Sequence, residues 1–229
     1  MPRTIIVFLG GPGAGKGTQA QALMRYLPIP QISTGDLLRA ETQLQTDLGR
    51  EIGRQLGTGN LVSDDSVNQV LGRRVRAGDS KQGFMLDGYP RTLNQAVALQ
   101  SQLRPRDKFV VIEIDVDPER MISRMTSRLI CSSCGYVYNS ASLKPKTEGI
   151  CDSCGGTLAR RSDDQEAIIR ERFRSFASQT LPLRGYFKQL GVYSQVDGMR
   201  PPEEVTLDIL TVLDIEGIPL NSPVARRTY

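Results

Sequence analysis

The sequence predicts an α/β fold: a parallel sheet covered by helices on both faces, with two inserted segments at the carboxyl ends of the strands. Three observations carry this. An apolar run, Thr4 to Leu9, leads into the glycine-rich stretch Gly10-Gly11-Pro12-Gly13-Ala14-Gly15-Lys16-Gly17-Thr18, and a helix-like segment follows from Thr18 to Leu27. Short apolar strands then alternate with helical stretches along most of the chain. Two segments, 33–62 and 131 to about 160, break that alternation; the first is helical without a strand of its own and the second is dominated by Cys, Gly, Ser and Lys.

The first strand, turn and helix read as a phosphate-binding loop. Glycines let the backbone curl so that successive N–H groups point inward, the helix N-terminus adds partial positive charge, and Lys16 reaches outer phosphates. Where the general pattern places Ser or Thr directly after the Lys, this chain has Gly17, and the hydroxyl follows at Thr18. GTPases and motor ATPases use the missing hydroxyl on Mg²⁺, so the loop leans away from them. Further strands are expected at Gly83 to Asp87, Lys108 to Asp115 and Val192 to Val196. Helices are expected at Ser63 to Ala77 with Ser63 as cap, Thr92 to Leu103, Pro118 to Ile130, and Ser162 to Leu181, where Ser162 and Gln165 suit a capping box. The last dozen residues, Ile218 to Tyr229, read as a weakly ordered tail.

A chain of 229 residues is long enough for one large domain with insertions. Its 39% apolar and 24% charged content is that of a soluble globular protein, and no apolar run reaches the roughly 18 residues of a membrane span. The start, Met1-Pro2-Arg3, leads into an apolar run that ends in the phosphate loop without a small-residue cleavage site, so a cytoplasmic protein is expected. A net charge of +4 and a pI near 9.0 mark a mildly basic surface and decide little.

The second inserted segment carries Cys131-Ser-Ser-Cys134 and Cys151-Asp-Ser-Cys154, which are all the cysteines of the chain. Paired C-x-x-C knuckles, each followed by Gly, match a four-thiolate tetrahedral metal site, zinc before iron because nothing else suggests electron transfer. Two disulfides or a redox couple are the alternatives. With no His in the chain, a catalytic metal site of the usual His-bearing type is not available, so the metal is expected to be structural.

Several motifs in order resemble the adenylate kinases, in their long-lid form with a four-cysteine zinc site. They are Gly10 to Thr18, Gln31-Ile32-Ser33-Thr34-Gly35-Asp36-Leu37-Leu38-Arg39, Asp87-Gly88-Tyr89-Pro90-Arg91, Arg124 with Arg128, Arg161-Ser162-Asp163-Asp164-Gln165, and Val196-Asp197-Gly198. The resemblance covers residues 4 to about 214. It departs at Tyr89, where Phe is usual, and in the extra tail after Asp214.

The resemblance implies a five-stranded parallel sheet of the P-loop nucleoside monophosphate kinase type. Its core would comprise 1–32, 63–127 and 165–229, with an AMP-binding flap at 33–62 and a zinc-bearing lid at 128–164. It implies reversible transfer from MgATP to AMP giving two ADP, in a monomer with no nucleic-acid or membrane partner. Lys16 would stabilise the transferring phosphoryl group, with Arg91, Arg124, Arg161 and Arg172 as the catalytic arginines. ATP would lie on Gly13, Ala14, Gly15, Lys16, Gly17 and Thr18 and meet Arg124, Arg128, Val137, Tyr138 and the backbone at Arg200. AMP would meet Thr34, Arg39, Asn60, Leu61, Val62, Gly88, Tyr89, Pro90, Arg91, Gln95, Arg161 and Arg172, with Gln95 reading the adenine edge, and Asp87 would hold Mg²⁺ through water.

The residues support that chemistry independently: phosphoryl transfer asks for positioning and charge neutralisation, and an ionised phosphate acceptor needs no general base. Lys and Arg titrating well above pH 8 imply a nearly flat kcat around neutrality. Each assignment has a blander counterpart. Arg124 and Arg128, four apart on one predicted helical face, could be a solvated stripe, Asp87 could merely end a strand, Gln95 could be solvated, and Asp163 and Asp164 could serve a helix N-terminus. Rival functions are a GMP, CMP or UMP kinase, a zinc-ribbon nucleic-acid binder using Lys144, Lys146, Arg160 and Arg161, and a catalytically silent ATP sensor.

Overall fold

The protein is described from a computed structural model, over residues 2–140, 143–161 and 163–221. Five parallel strands form the central sheet: β1 (Thr4–Leu9), β2 (Gln31–Ser33), β3 (Gly83–Asp87), β4 (Lys108–Asp115) and β8 (Tyr193–Asp197), in the order β2-β3-β1-β4-β8. β1 is the middle strand, with Thr4 opposite both Gly83 of β3 and Lys108 of β4. Because successive strand side chains point to opposite faces, β1 feeds two cores at once. Ile6 and Phe8 pack with Leu23, Ile112 and Ile209 on one side, while Ile5, Val7 and Leu9 pack with Ile32, Leu86 and Phe187 on the other. A sheet covered this way reads as continuous apolar runs, which is why the pattern of β1, β3 and β4 was legible.

Helices cover both faces, and their starts follow local capping chemistry. α1 (Lys16–Leu23) opens at Gly15, which is left-handed at φ 98°, and α2 (Thr34–Gln43) is capped by Ser33 and α3 (Asp47–Thr58) by Thr46. Ser63 caps α4 (Asp64–Val75), as expected, and Thr92 caps α5 (Leu93–Ser101). Asp117 caps α6 (Pro118–Thr126) with Pro118 in the first turn. The 33–62 segment is the helix pair α2–α3, as its pattern suggested.

Four expectations are corrected. The helix predicted for 118–130 ends at Thr126, and Arg128–Cys131 is a strand, β5, that pairs antiparallel with β6 (Val137–Asn139) and β7 (Leu158–Ala159). Arg124 and Arg128 therefore do not share a helical face. The helix predicted from Ser162 begins at Glu166: α7 (Glu166–Ser175) has Gln165 in the cap position with no side-chain bond, and Ser162 lies outside the described residues. α7 continues as a π-helical turn, Phe176–Thr180, before α8 (Leu183–Gln189). Finally, the chain beyond α9 (Pro202–Ile215) is not loose as far as Asn221: Ile218 is buried in the core, and the Asn221 N–H donates to the Tyr26 carbonyl at 2.8 Å. Residues 222–229 of the expected tail lie outside the described residues.

The small sheet β6-β5-β7 has a separate core of Cys131, Tyr138, Cys151 and Leu158. Among the described residues, no helix is long and apolar enough to cross a membrane.

Ile112, fully enclosed on β4, should be a sensitive probe of the central core. Ile112→Ala is expected to lower stability by about 3 kcal/mol, through lost burial and an unfilled cavity. Urea unfolding checks this, and a loss below about 1 kcal/mol would contradict the packing described.

Candidate active site

The ends of β1, β3 and β4 deliver the loop and its partners to one edge of the sheet. In the loop, Gly13 adopts φ 85°, and a Cβ there would stand 2.6 Å from the Met121 carbonyl oxygen, so only glycine fits. The Lys16 ammonium donates to the carbonyls of Gly10 and Gly11, 2.8 Å each, inside its own loop. Burial lowers its pKa to about 8, against the opposing pull of Asp87 and with help from Arg91, Arg172 and Arg128. The expectation that every lysine of the site titrates well above pH 8 is thus corrected for Lys16. Gly17 also has a local reason: a Cβ at this position would lie 3.1 Å from Oδ2 of Asp87, so the missing hydroxyl leaves room for that carboxylate beside the loop.

Beside the loop, a cleft runs between the α2–α3 pair and the core. It is lined by Thr34, Arg39, Asn60, Leu61, Val62, Gly88, Arg91, Gln95 and Arg172 of the expected AMP set, together with Leu38, Leu56 and Asp163. Tyr89 and Pro90 are buried behind the cleft and do not line it, and Arg161 stands outside it. Thr34 is held by its hydroxyl on the Asp87 carbonyl at 3.1 Å. Gly88, at φ 81°, lets Thr34 and Arg91 close in; a Cβ there would meet Thr34 Oγ1 at 2.9 Å and Arg91 Nη2 at 3.0 Å. Arg91 Nε donates to the Gly88 carbonyl at 2.9 Å, and Thr180, from the π-helical turn, donates to the Arg91 carbonyl at 2.9 Å. Gln95 is 2% exposed, not solvated, and its amide is bonded to Asp64 and to the Arg91 N–H.

Carboxylates knit the arginines together. Asp163 pairs with Arg172 at 3.1 Å and Arg39 at 3.4 Å; Asp164 accepts from Nε and Nη2 of Arg128 and lies 3.6 Å from Arg172. Asp36 bridges Arg39 at 2.5 Å and Arg161 at 3.0 Å. These three aspartates were not expected as site residues, and Asp163 and Asp164 serve arginines, not a helix cap. Burial followed by the neighbouring cations lowers Arg161 and Arg172 to about 10, and Arg91 is lowered by burial as well. All three remain charged at neutral pH. Arg124 reaches the Gly198 carbonyl at 3.1 Å, and its pKa is lowered chiefly by burial.

Two of the expected ATP contacts, Arg200 and Tyr138, have their side chains engaged within the protein. The Arg200 side chain folds back onto Glu204 and Asp208 of α9, leaving only its backbone for a ligand. Tyr138 is buried in the small core; its hydroxyl donates toward Cys151 Sγ at 3.7 Å and accepts from the Asp152 N–H at 2.7 Å. Val137 precedes it on β6.

The four thiols cluster within 4.8 Å of one another, with Cys131–Cys154 at 3.5 Å and Cys134–Cys151 at 3.6 Å. A disulfide needs about 2.05 Å, whereas sulfurs at the corners of a tetrahedron with about 2.3 Å metal bonds stand somewhat under 4 Å apart. The cysteines are free, and their spacing fits a metal. The Cys134 N–H, ahead of other contacts, lowers the Cys131 thiol to about 6. On Cys151, burial pushes up but the N–H groups of Ser153 and Cys154 outweigh it.

A Lys-bearing phosphate loop beside a cleft lined by paired arginines defines a P-loop nucleotide phosphotransferase. Comparison with known proteins narrows the class. The family described as adenylate kinase matches residues 8–192. Among curated relatives, the adenylate kinase of Fervidobacterium nodosum is 44% identical over 91% of this chain and 96% of its own. Those of Thermosipho africanus and Allorhizobium ampelinum are 41% and 43% identical, each over 91% of this chain and 98% of their own. The chain belongs to the adenylate kinase family.

The Lys16 shift has a measurable consequence. In the ligand-free protein the ammonium is charged below about pH 8 and is lost as pH rises through that value. Bound phosphates favour the charged form and raise the pKa, so proton uptake accompanies binding. Accordingly, kcat/KM for MgATP should fall above about pH 8, while kcat at saturation stays flat from roughly pH 6.5 to 8.5. Parallel pH profiles of the two parameters check this; a kcat/KM that holds level to pH 9.5 would contradict it.

Proposed function

We propose that this site transfers a phosphoryl group reversibly between MgATP and AMP, giving two ADP, by charge neutralisation around Lys16. The observation that carries this is the convergence of Lys16 with Arg39, Arg91, Arg128, Arg161 and Arg172 where the phosphate loop meets the cleft. ATP takes the loop from Gly13 to Thr18 and AMP takes the cleft, its base against Thr34, Val62 and Gln95. Arg39 and Arg91 grip the AMP phosphate. Arg124 and Arg128 meet the ATP side, and Arg161 and Arg172 close on the phosphates between the two. Lys16 leaves the carbonyls of Gly10 and Gly11 and follows the transferring group. The acceptor is an ionised phosphate, so no protein group has to take a proton, and a chain with no His lacks nothing for this step.

Kinase activity implies Mg²⁺ with ATP; Asp87, whose carboxylate lies beside Gly17, would hold it through water. Residues 33–62 act as the AMP flap and 128–164 as the lid over ATP, with core segments 1–32, 63–127 and 165–229. The lid's four thiolates bind zinc structurally. Every proposed contact comes from one chain, so a monomer suffices.

Lys16→Met is expected to lower kcat on the order of a hundredfold or more without unfolding the protein, since it removes a preorganised positive charge. A coupled assay of ADP formation, run with AMP, GMP, CMP and UMP, tests both the role and the acceptor. Near-normal turnover in the folded variant would defeat the assignment.

Stripping metal with a chelator should lower the melting temperature, because thiolate coordination is coupled to folding of the small sheet. Turnover measured well below the lowered melting point should largely persist. Loss of turnover while the lid stays folded would assign the metal a chemical role.

A further inference from the structure

Gln95 is held more firmly than a base-contacting side chain requires. Its Nε2 donates to Asp64 Oδ1 at 2.7 Å, and its Oε1 accepts from the Arg91 N–H at 2.8 Å. Its own N–H donates to Thr92 Oγ1 at 3.2 Å, and Thr92 in turn donates to both Asp64 oxygens at 3.0 and 2.9 Å. The Tyr89 hydroxyl, present where Phe is usual, lies 3.2 Å from the Gln95 carbonyl and 2.8 Å from Asn68 Oδ1. Asp64 is the first residue of α4, so the anchor sits on a helix that Ser63 caps.

The chemistry of these partners fixes the amide's sense. A carboxylate only accepts and a backbone N–H only donates, so Nε2 must face Asp64 and Oε1 must face Arg91. Flipping the amide would set oxygen against carboxylate and N–H against N–H. What remains free is one N–H on Nε2 and one lone pair on Oε1. Adenine offers a complementary edge, an acceptor at N1 and a donor at N6. Hypoxanthine and guanine offer the reverse, a donor at N1 and an acceptor at O6, and could be read only by the flipped amide. We propose that Asp64 is the positioning residue for purine selectivity: by holding Gln95 in one orientation, it makes the cleft accept 6-aminopurine and reject 6-oxopurine monophosphates. This rests on the reading of Gln95 as the residue that meets the acceptor's base.

The test compares AMP with IMP, which has the same shape and the opposite hydrogen-bonding sense, as acceptors with saturating MgATP. In Asp64→Asn the new carboxamide can donate or accept, so a flipped Gln95 is tolerated on that side. The ratio of kcat/KM for AMP over IMP should fall about tenfold or more, because a well-oriented bidentate contact gives discrimination of that order. The change should appear in opposite movements of the two KM values, with kcat for AMP within about twofold of the parent. Asp65→Asn, an exposed acid in the same helical turn, should leave the ratio alone. Gln95→Ala separates the two levels of the argument. If Gln95→Ala loses selectivity while Asp64→Asn keeps it, the role of Asp64 is overturned; if Gln95→Ala keeps it too, the reading of Gln95 falls first. Equal losses with both acceptors in Asp64→Asn would make Asp64 merely structural and overturn the proposal as well. Circular dichroism confirms folding, and Asp64→Ser, which also lacks the fixed acceptor pair, replaces Asp64→Asn should that variant not fold.

Discussion

Like charges must be held together before any nucleotide arrives, and the rest of the site is built around that. Two unit charges about 5 Å apart repel by about 3 kcal/mol at an effective dielectric near 20. Arg39 comes from α2, Arg91 from the turn after β3, Arg128 from β5, Arg161 from the end of the small sheet and Arg172 from α7. Asp36, Asp163 and Asp164 offset the repulsion. Their surroundings decide that this matters: Asp164 and Arg128 are 3% and 15% exposed, whereas the surface pair Asp47–Arg50 is 99% and 64% exposed and contributes little. A nearly dry carboxylate cannot be removed without leaving a bare cation behind.

This balance gives the ligand-free protein its electrostatic character. Lys16 rests on its own loop's carbonyls with a lowered pKa, and Arg91, Arg161 and Arg172 are likewise lowered, first by burial and then by neighbouring arginines such as Arg39 and Arg128. Each group is poised to gain from an arriving phosphate more than it would in open water, since the cost of gathering the cations is met within the fold. The pairs Arg161–Asp36 and Arg39–Asp163 also tie the two inserted segments to each other across the cleft. The same groups thus organise the chemistry and the shape of its enclosure.

Much of this was legible in the sequence because it depends on local rules. Three strands of the sheet bury both faces and so announce themselves as apolar runs, and Ser63 marks a helix start by its own chemistry; the first helix begins at Lys16, two residues ahead of the expected Thr18. The failures share another cause. Arg128-Leu129-Ile130 fits a helix or a strand equally, and only pairing with Val137 to Asn139 across a turn and with Ala159 far along the chain decides for the strand. β2 is three residues long, too short to show a period, and was supplied by resemblance alone. Of the site, the cations and thiols could be read from motifs. Asp36, Asp163 and Asp164 look like any acids near a helix start, and Asp64 like a first-turn carboxylate, until the fold brings distant partners beside them.

The small sheet has almost no interior of its own: Cys131, Tyr138, Cys151 and Leu158 are its buried core, and two of the four are thiols. Its integrity depends on a handful of atoms and not on matching any surface of the five-stranded sheet. Such an appendage behaves as an autonomous cassette. Outside the residues proposed to meet the nucleotide, its sequence can drift or lengthen without the main core registering the change, because it opens and closes its own contacts as a separate unit of stability.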